Sequence, residues 1–197
     1  LPFLKNEPNH NEVAQFYRDF AEMYLDNRQG NQAWRLQDLT DLSVLPDYEI
    51  GGGYDYGGGT QGAPVDAEGN PIFHRVPTDY DSAASDGERW RWLLSQAVEY
   101  APERRPEIET LFAQFLREQF GVTTLADYGG FFGRSGDEGD RSGTYALHTL
   151  GENETIARLA TGVKRFALPD EFNFIKIYQD IAAGSEQYYA DFALTAL

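Results

Sequence analysis

The chain alternates between stretches whose apolar residues recur at a helical period and stretches with no such period. The clearest helical stretch opens at Ser85, with Glu88 three residues on as in a capping box. Trp90, Leu93, Leu94, Ala97, Val98 and Ala101 then fall at the spacing that lines one side of a helix. Pro102 and Pro106 interrupt the run. Ile108, Leu111, Phe112, Phe115, Leu116 and Phe120 repeat it up to Gly121, which is placed to stop it. Two amphipathic helices with a short join predict an antiparallel helical hairpin.

The same reasoning predicts helices elsewhere. Asn11 is a candidate cap for one carrying Val13, Phe16, Tyr17, Phe20 and Tyr24 on a shared face and ending near Gly30. Trp34, Leu36, Leu39 and Leu42 predict another over 31–45, limited by Pro46. Thr149 with Glu152 repeats the capping-box spacing and predicts a helix through Ile156, Leu159, Ala160 and Val163. Pro169 suits the first turn of a helix with Phe174, Ile177, Tyr178 and Ile181 on one face, ended by Gly184. Ser185 opens a last one through Tyr189, Phe192, Ala193 and Ala196. In this final pair Phe174, Ile177, Ile181 and Ala190 sit at tetratricopeptide-like spacings, although Tyr178 stands where a small residue is expected. Residues 169–197 therefore read as the start of a truncated tetratricopeptide-like repeat.

Two regions break the period. In 50–84, Gly51–Gly62 alternates glycine with tyrosine, and Val65–Phe73 reads as a tight β-turn between two short extended arms. Residues 129–143 form a second flexible loop. The expectation is a mainly α fold, a single helical domain over 1–197. It is built of antiparallel helical hairpins as a helical-repeat-like bundle, with a Gly/Tyr-rich loop and a short β-hairpin insertion.

Composition narrows the chemistry. Hydrophobic residues at 41% of 197 are enough for a core, despite a net charge of -16. That acidic balance argues against nucleic acid and anionic membrane surfaces as partners. No cysteine occurs, which excludes a disulfide scaffold, a thiol nucleophile, a cysteine zinc site and an internal thioester. No apolar run is long enough to cross a bilayer as a helix. The chain opens on Leu1 and closes within the apolar pattern Tyr188–Leu194, so it is expected to be a segment of a longer protein.

Each candidate site also has a plain structural role open to it. The glycine-rich loop is no phosphate loop, since no lysine lies between Lys5 and Lys164. Asp137, Glu138 and Asp140, or Asp66, Glu68 and Asn70, offer oxygens to calcium but lack the order of an EF-hand. His10, His74 and His148 lack close helical pairing for zinc. No Gly-x-Ser-x-Gly elbow appears. Asn153-Glu154-Thr155 is a formal glycosylation sequon at a predicted helix start. No catalytic, cofactor or metal residue is assigned. The loop aromatics Tyr54, Tyr56, Tyr80, Phe131 and Phe132 are the candidate partner contacts.

Four runs occur together: Trp34 to Leu42, Gly62 to Pro71, Asp86 to Trp92 and Ser142 to Leu150. They resemble a helical region of very large alpha-macroglobulin-like proteins of planctomycete-type bacteria, where tetratricopeptide-like helices accompany macroglobulin domains. The resemblance implies a periplasmic or extracellular parent that entraps or inhibits peptidases. Within it this region contributes scaffold or contacts to neighbouring domains or to a peptidase. It lacks the family's thioester motif, and no functional residues carry over. The leading expectation is a non-catalytic scaffold or protein-interaction module, binding through the Gly51–Val76 insertion, whose removal should leave the helices folded. The alternatives are a carboxylate-dependent hydrolase, marked by converging acids or an acid and a histidine in a pocket, and a calcium-binding module.

Overall fold

A computed structural model describes residues 4, 7–25, 63, 65–120, 149–159, 161–184 and 187–196. Among them lie helices α1 (His10–Leu25), α2 (Asp86–Tyr100) and α3 (Arg105–Phe120), strands β1 (Glu154–Leu159) and β2 (Gly162–Ala167), and helices α4 (Phe174–Gly184) and α5 (Gln187–Ala196). The fold is mainly helical with one small antiparallel sheet. The helix expected over 31–45 and the loops at 51–62 and 129–143 lie outside the described residues.

Helix α1 is capped two residues earlier than expected. Asn9, not Asn11, accepts the Glu12 amide on its side chain at 3.4 Å and returns a 2.8 Å bond to the Glu12 carboxylate. The helix buries Val13, Ala14, Tyr17 and Ala21, while Phe16 sits off the stripe. Tyr17 stacks on Tyr100 and meets Trp92 edge-on, both at 5.7 Å, which seats α1 along α2.

The capping box at α2 forms as its spacing predicts. Ser85 accepts the Glu88 amide at 3.2 Å, and the Glu88 carboxylate reaches back to the Ala84 amide at 2.6 Å. At Ala101 the backbone leaves the helix, a 3-10 turn runs over Pro102–Arg104, and α3 begins with Pro106 in its first turn. The expected pair is present but splayed. Helix α2 lies chiefly along α1 and α3 along α4, and the two meet through Trp90, which packs tilted against Phe115 at 4.4 Å and Phe112 at 5.9 Å.

Residues 154–167 correct the sequence reading: they form a β-hairpin, not a helix. Glu154 pairs with Ala167 and the register closes at Leu159 against Gly162. Gly162 has φ +119, a conformation that helix excludes and other residues resist. The β-branched Thr155, Ile156 and Val163 add local preference for strand. Tertiary contacts complete the choice. The Thr155 hydroxyl donates to the Phe120 carbonyl at 2.7 Å, satisfying an end-of-helix acceptor of α3, and Leu159 makes a parallel bridge with Ala63. The expected cap Thr149 instead accepts from Arg165 at 2.6 Å. The ribbon expected over 65–73 is reduced to one bridge, Val65 to Pro71, around a turn in which the Gly69 amide donates to Asp66 O at 3.0 Å.

One core gathers α1, α2, the inner side of α3, Leu159 and Phe172; a second, smaller one joins Ala113 of α3 to Tyr178, Ile181 and Ala193 of α4 and α5. Helix α3 is shared by both. Asn173, a cap missed by the sequence reading, starts α4 by accepting the Ile175 and Lys176 amides at 3.2 and 3.4 Å. No helix among the described residues is long and apolar enough to cross a membrane.

Gly162 distinguishes hairpin from helix directly. In a helix, Gly162→Ala would stabilise by about 0.5–1 kcal/mol. In this hairpin nothing crowds the position, yet the positive φ makes the change cost about 1–3 kcal/mol. A lower urea midpoint for the variant is expected; a raised midpoint would refute the hairpin.

Candidate functional site

Two structural features come together on the first turns of α2. The first is a polar cluster at the helix start. Ser85 Oγ lies 3.5 Å from His74 Nδ1, and Glu88 Oε1 lies 3.7 Å from the same nitrogen. Serine, histidine and acid thus converge. Yet Ser85 is buried and its hydroxyl oxygen is occupied in capping the helix. His74 is held below its usual range, by burial first and then by the Arg91 charge, with Glu88 opposing. The group reads as a buried cap with a neutral imidazole beside it.

The second feature is a groove between α2 and α3, of about 480 Å³, between the Trp90 contact and the Pro102 turn. Leu94, Val98, Ile108 and Phe112 form its apolar walls; Glu99, Arg105 and Glu109 stand among its polar lining, and Val76 contributes from a neighbouring segment. Arg91 lines it too, although only 3% exposed. Its guanidinium stands 5.4–5.8 Å from the ring centres of Trp90, Phe112 and Phe115. Burial pulls it down to about 9, with Glu88 opposing, so it keeps its charge at neutral pH. Ser85, His74 and Glu88 do not line the groove, so the cap cluster and the groove share only Arg91 as a neighbour.

The residues singled out from sequence fare differently. Tyr54, Tyr56, Phe131 and Phe132 lie outside the described residues, as do His148, Asp137, Glu138 and Asp140. Tyr80 is not a free surface aromatic: it stacks on Phe20 at 5.9 Å and shares a 2.6 Å bond between its hydroxyl and that of Tyr24. Asp66 directs its carboxylate at Asn70, whose amide and side chain donate at 2.7 and 3.1 Å. The Lys164 ammonium donates to Gly69 O at 2.8 Å, placing a cation on the turn whose Asp66, Glu68 and Asn70 offer oxygens to calcium. No cluster of three metal-ligating side chains occurs among the described residues. His10 packs edge-on against Tyr100. The sequon's Thr155 is buried and bonded.

The described part of the insertion is structural. Ala63 is buried in the main core, and Phe73 packs against Phe120 and Phe172 at 5.4 and 4.9 Å. The packing of these two residues argues against the expectation that the helices stay folded without 51–76: removing Phe73 and Ala63 would open the core at the end of α3. At the far end of the chain, α4 and α5 present exposed apolar side chains, with Tyr188 75% and Leu194 61% exposed. No family model, curated protein or solved structure matches this chain.

The His74 environment has a pH consequence. Its proton is held less tightly in the fold than in the unfolded chain. Its stabilising contribution is therefore complete above about pH 6.5 and is lost as pH falls through the lowered folded value. Between about pH 7.5 and about pH 5.5, His74→Gln should flatten the fall in urea midpoint seen in the wild type. An identical fall in both proteins would show that His74 does not titrate this way.

Proposed function

We propose that this chain is a non-catalytic helical module that positions neighbouring parts of a larger protein through apolar side chains exposed on α4 and α5. The carrying observation is this exposure. Ile175, Tyr188, Phe192 and Leu194 are exposed on the pair, while Tyr178, Ile181 and Ala193 anchor it onto α3. Helical repeats share this construction: one side of a helix pair is buried against the preceding element and the other receives the next. The polar cluster supports no reaction chamber, since its serine is a buried cap and its histidine and acid do not line the groove.

The resemblance to alpha-macroglobulin-like proteins extends this reading to an exported parent that inhibits peptidases, with this segment as scaffold. The partners are then neighbouring domains of that parent or a peptidase, and neither nucleic acid nor a membrane interior. An acidic chain of net charge -16 suits that choice.

The test is crosslinking capture from the native exported fraction, with identification of what is bound. Tyr188→Glu with Leu194→Glu alters only exposed positions, so far-ultraviolet dichroism should be unchanged and stability should move by about 0.5 kcal/mol or less per site. Capture of a macroglobulin-like chain or a peptidase should drop roughly tenfold. Undiminished capture by the double variant would remove this helix pair from the reading.

A further inference from the structure

The groove between α2 and α3 combines apolar walls with one buried cation, and the cation is incompletely used. Arg91 donates through Nη1 to Gly87 O at 2.9 Å, while Nε and Nη2 have no hydrogen-bond partner. Those two nitrogens form the side-on edge of the guanidinium, which can grip both oxygens of one carboxylate. The nearby Glu88 carboxylate is engaged elsewhere, on the Ala84 amide and beside His74. A buried charge without a bonded counter-ion destabilises a fold, and an apolar side chain of similar length would sit among Trp90, Phe112 and Phe115 without that cost. A local rule broken at the edge of a cavity is what a binding site looks like.

We propose that the groove receives a monocarboxylate with an apolar body, its carboxylate on the Nε–Nη2 edge of Arg91 and its body along Leu94, Val98, Ile108 and Phe112. This goes beyond the scaffold reading and does not depend on it. A body of about ten carbons fits within 480 Å³ and leaves room at the mouth. The charges select a single anion. Glu99 and Glu109 line the same groove, Arg105 lies 3.5 Å from Glu109, and the chain as a whole is strongly acidic, so polyanions are repelled. The Nε–Nη2 edge is covered from solvent. Admission therefore requires the side chains of His74, which faces the Arg91 charge, and Val76, which lines the groove, to swing aside while Phe73 stays in the core.

Calorimetric titration of the whole chain with decanoate and with the neutral decanamide tests this. Decanoate should bind one to one, and decanamide at least tenfold more weakly. Arg91→Met should stay folded, unfold at a higher temperature and lose at least tenfold in decanoate affinity. Val98→Trp fills the groove without touching the cation and should weaken both probes. Absence of decanoate binding, equal binding of the two probes, or full decanoate affinity in either variant would overturn the proposal.

Discussion

The placing of Trp90 decides the shape of this molecule. Its indole is almost wholly buried and lies 4.4 Å from the ring of Phe115, so it acts as a spacer between the start of α2 and the later turns of α3. An indole buries about 200 Å², worth roughly 5 kcal/mol at about 25 cal/mol/Å². The Pro102–Arg104 turn holds the helices together at their other end. Between spacer and turn the facing residues are aliphatic and shorter, chiefly Leu94, Val98 and Ile108. The groove is the volume they do not fill. Each splayed helix then finds its close neighbour on its other side, α2 against α1 and α3 against α4.

That geometry also explains why a charge sits inside. Arg91 follows Trp90 on the helix, and its guanidinium is surrounded by the same aromatic rings. Ring faces attract a cation, and Gly87 O accepts one of its protons, but neither replaces a carboxylate. His74 is drawn into the arrangement from outside the helix. Next to a buried cation and out of water, its neutral form is the favoured one. Cap, imidazole and guanidinium thus form one electrostatic unit in which Glu88 supplies the negative charge.

Legibility from sequence followed how local each determinant was. The cap at Ser85, the stripe from Trp90 to Ala97 and the break at Pro102 are set by residues within a few positions, and the structure reproduces them. The start of α1 was misplaced by two residues because Asn9 and Asn11 both make good caps and only Asn9 has Glu12 three positions on. The hairpin at 154–167 was missed for a different reason. A capping-box spacing at Thr149 and apolar residues at 156, 159, 160 and 163 imitate a helix, while Gly162 and three β-branched residues argue against one. The balance tips through Phe120 and Ala63, distant in sequence. The groove was illegible for the same reason: it is defined by how two helices pack, and nothing local in the sequence marks Arg91 as buried.

The end of α3 ties these parts into one unit. The Phe120 carbonyl is satisfied by Thr155, 35 residues along, and its ring lies under Phe73 and Phe166. Phe73 in turn touches Phe172, which leads into α4. Three segments far apart in the chain therefore cover one helix terminus, and none buries its own apolar side without the others. A two-stranded ribbon is marginal alone in water. Here Ile156, Ala157 and Leu159 of its first strand are buried, and Lys164 on its second strand fixes the turn at Gly69. The described part of a stretch that looks like an insertion in sequence is thus a wall of the core.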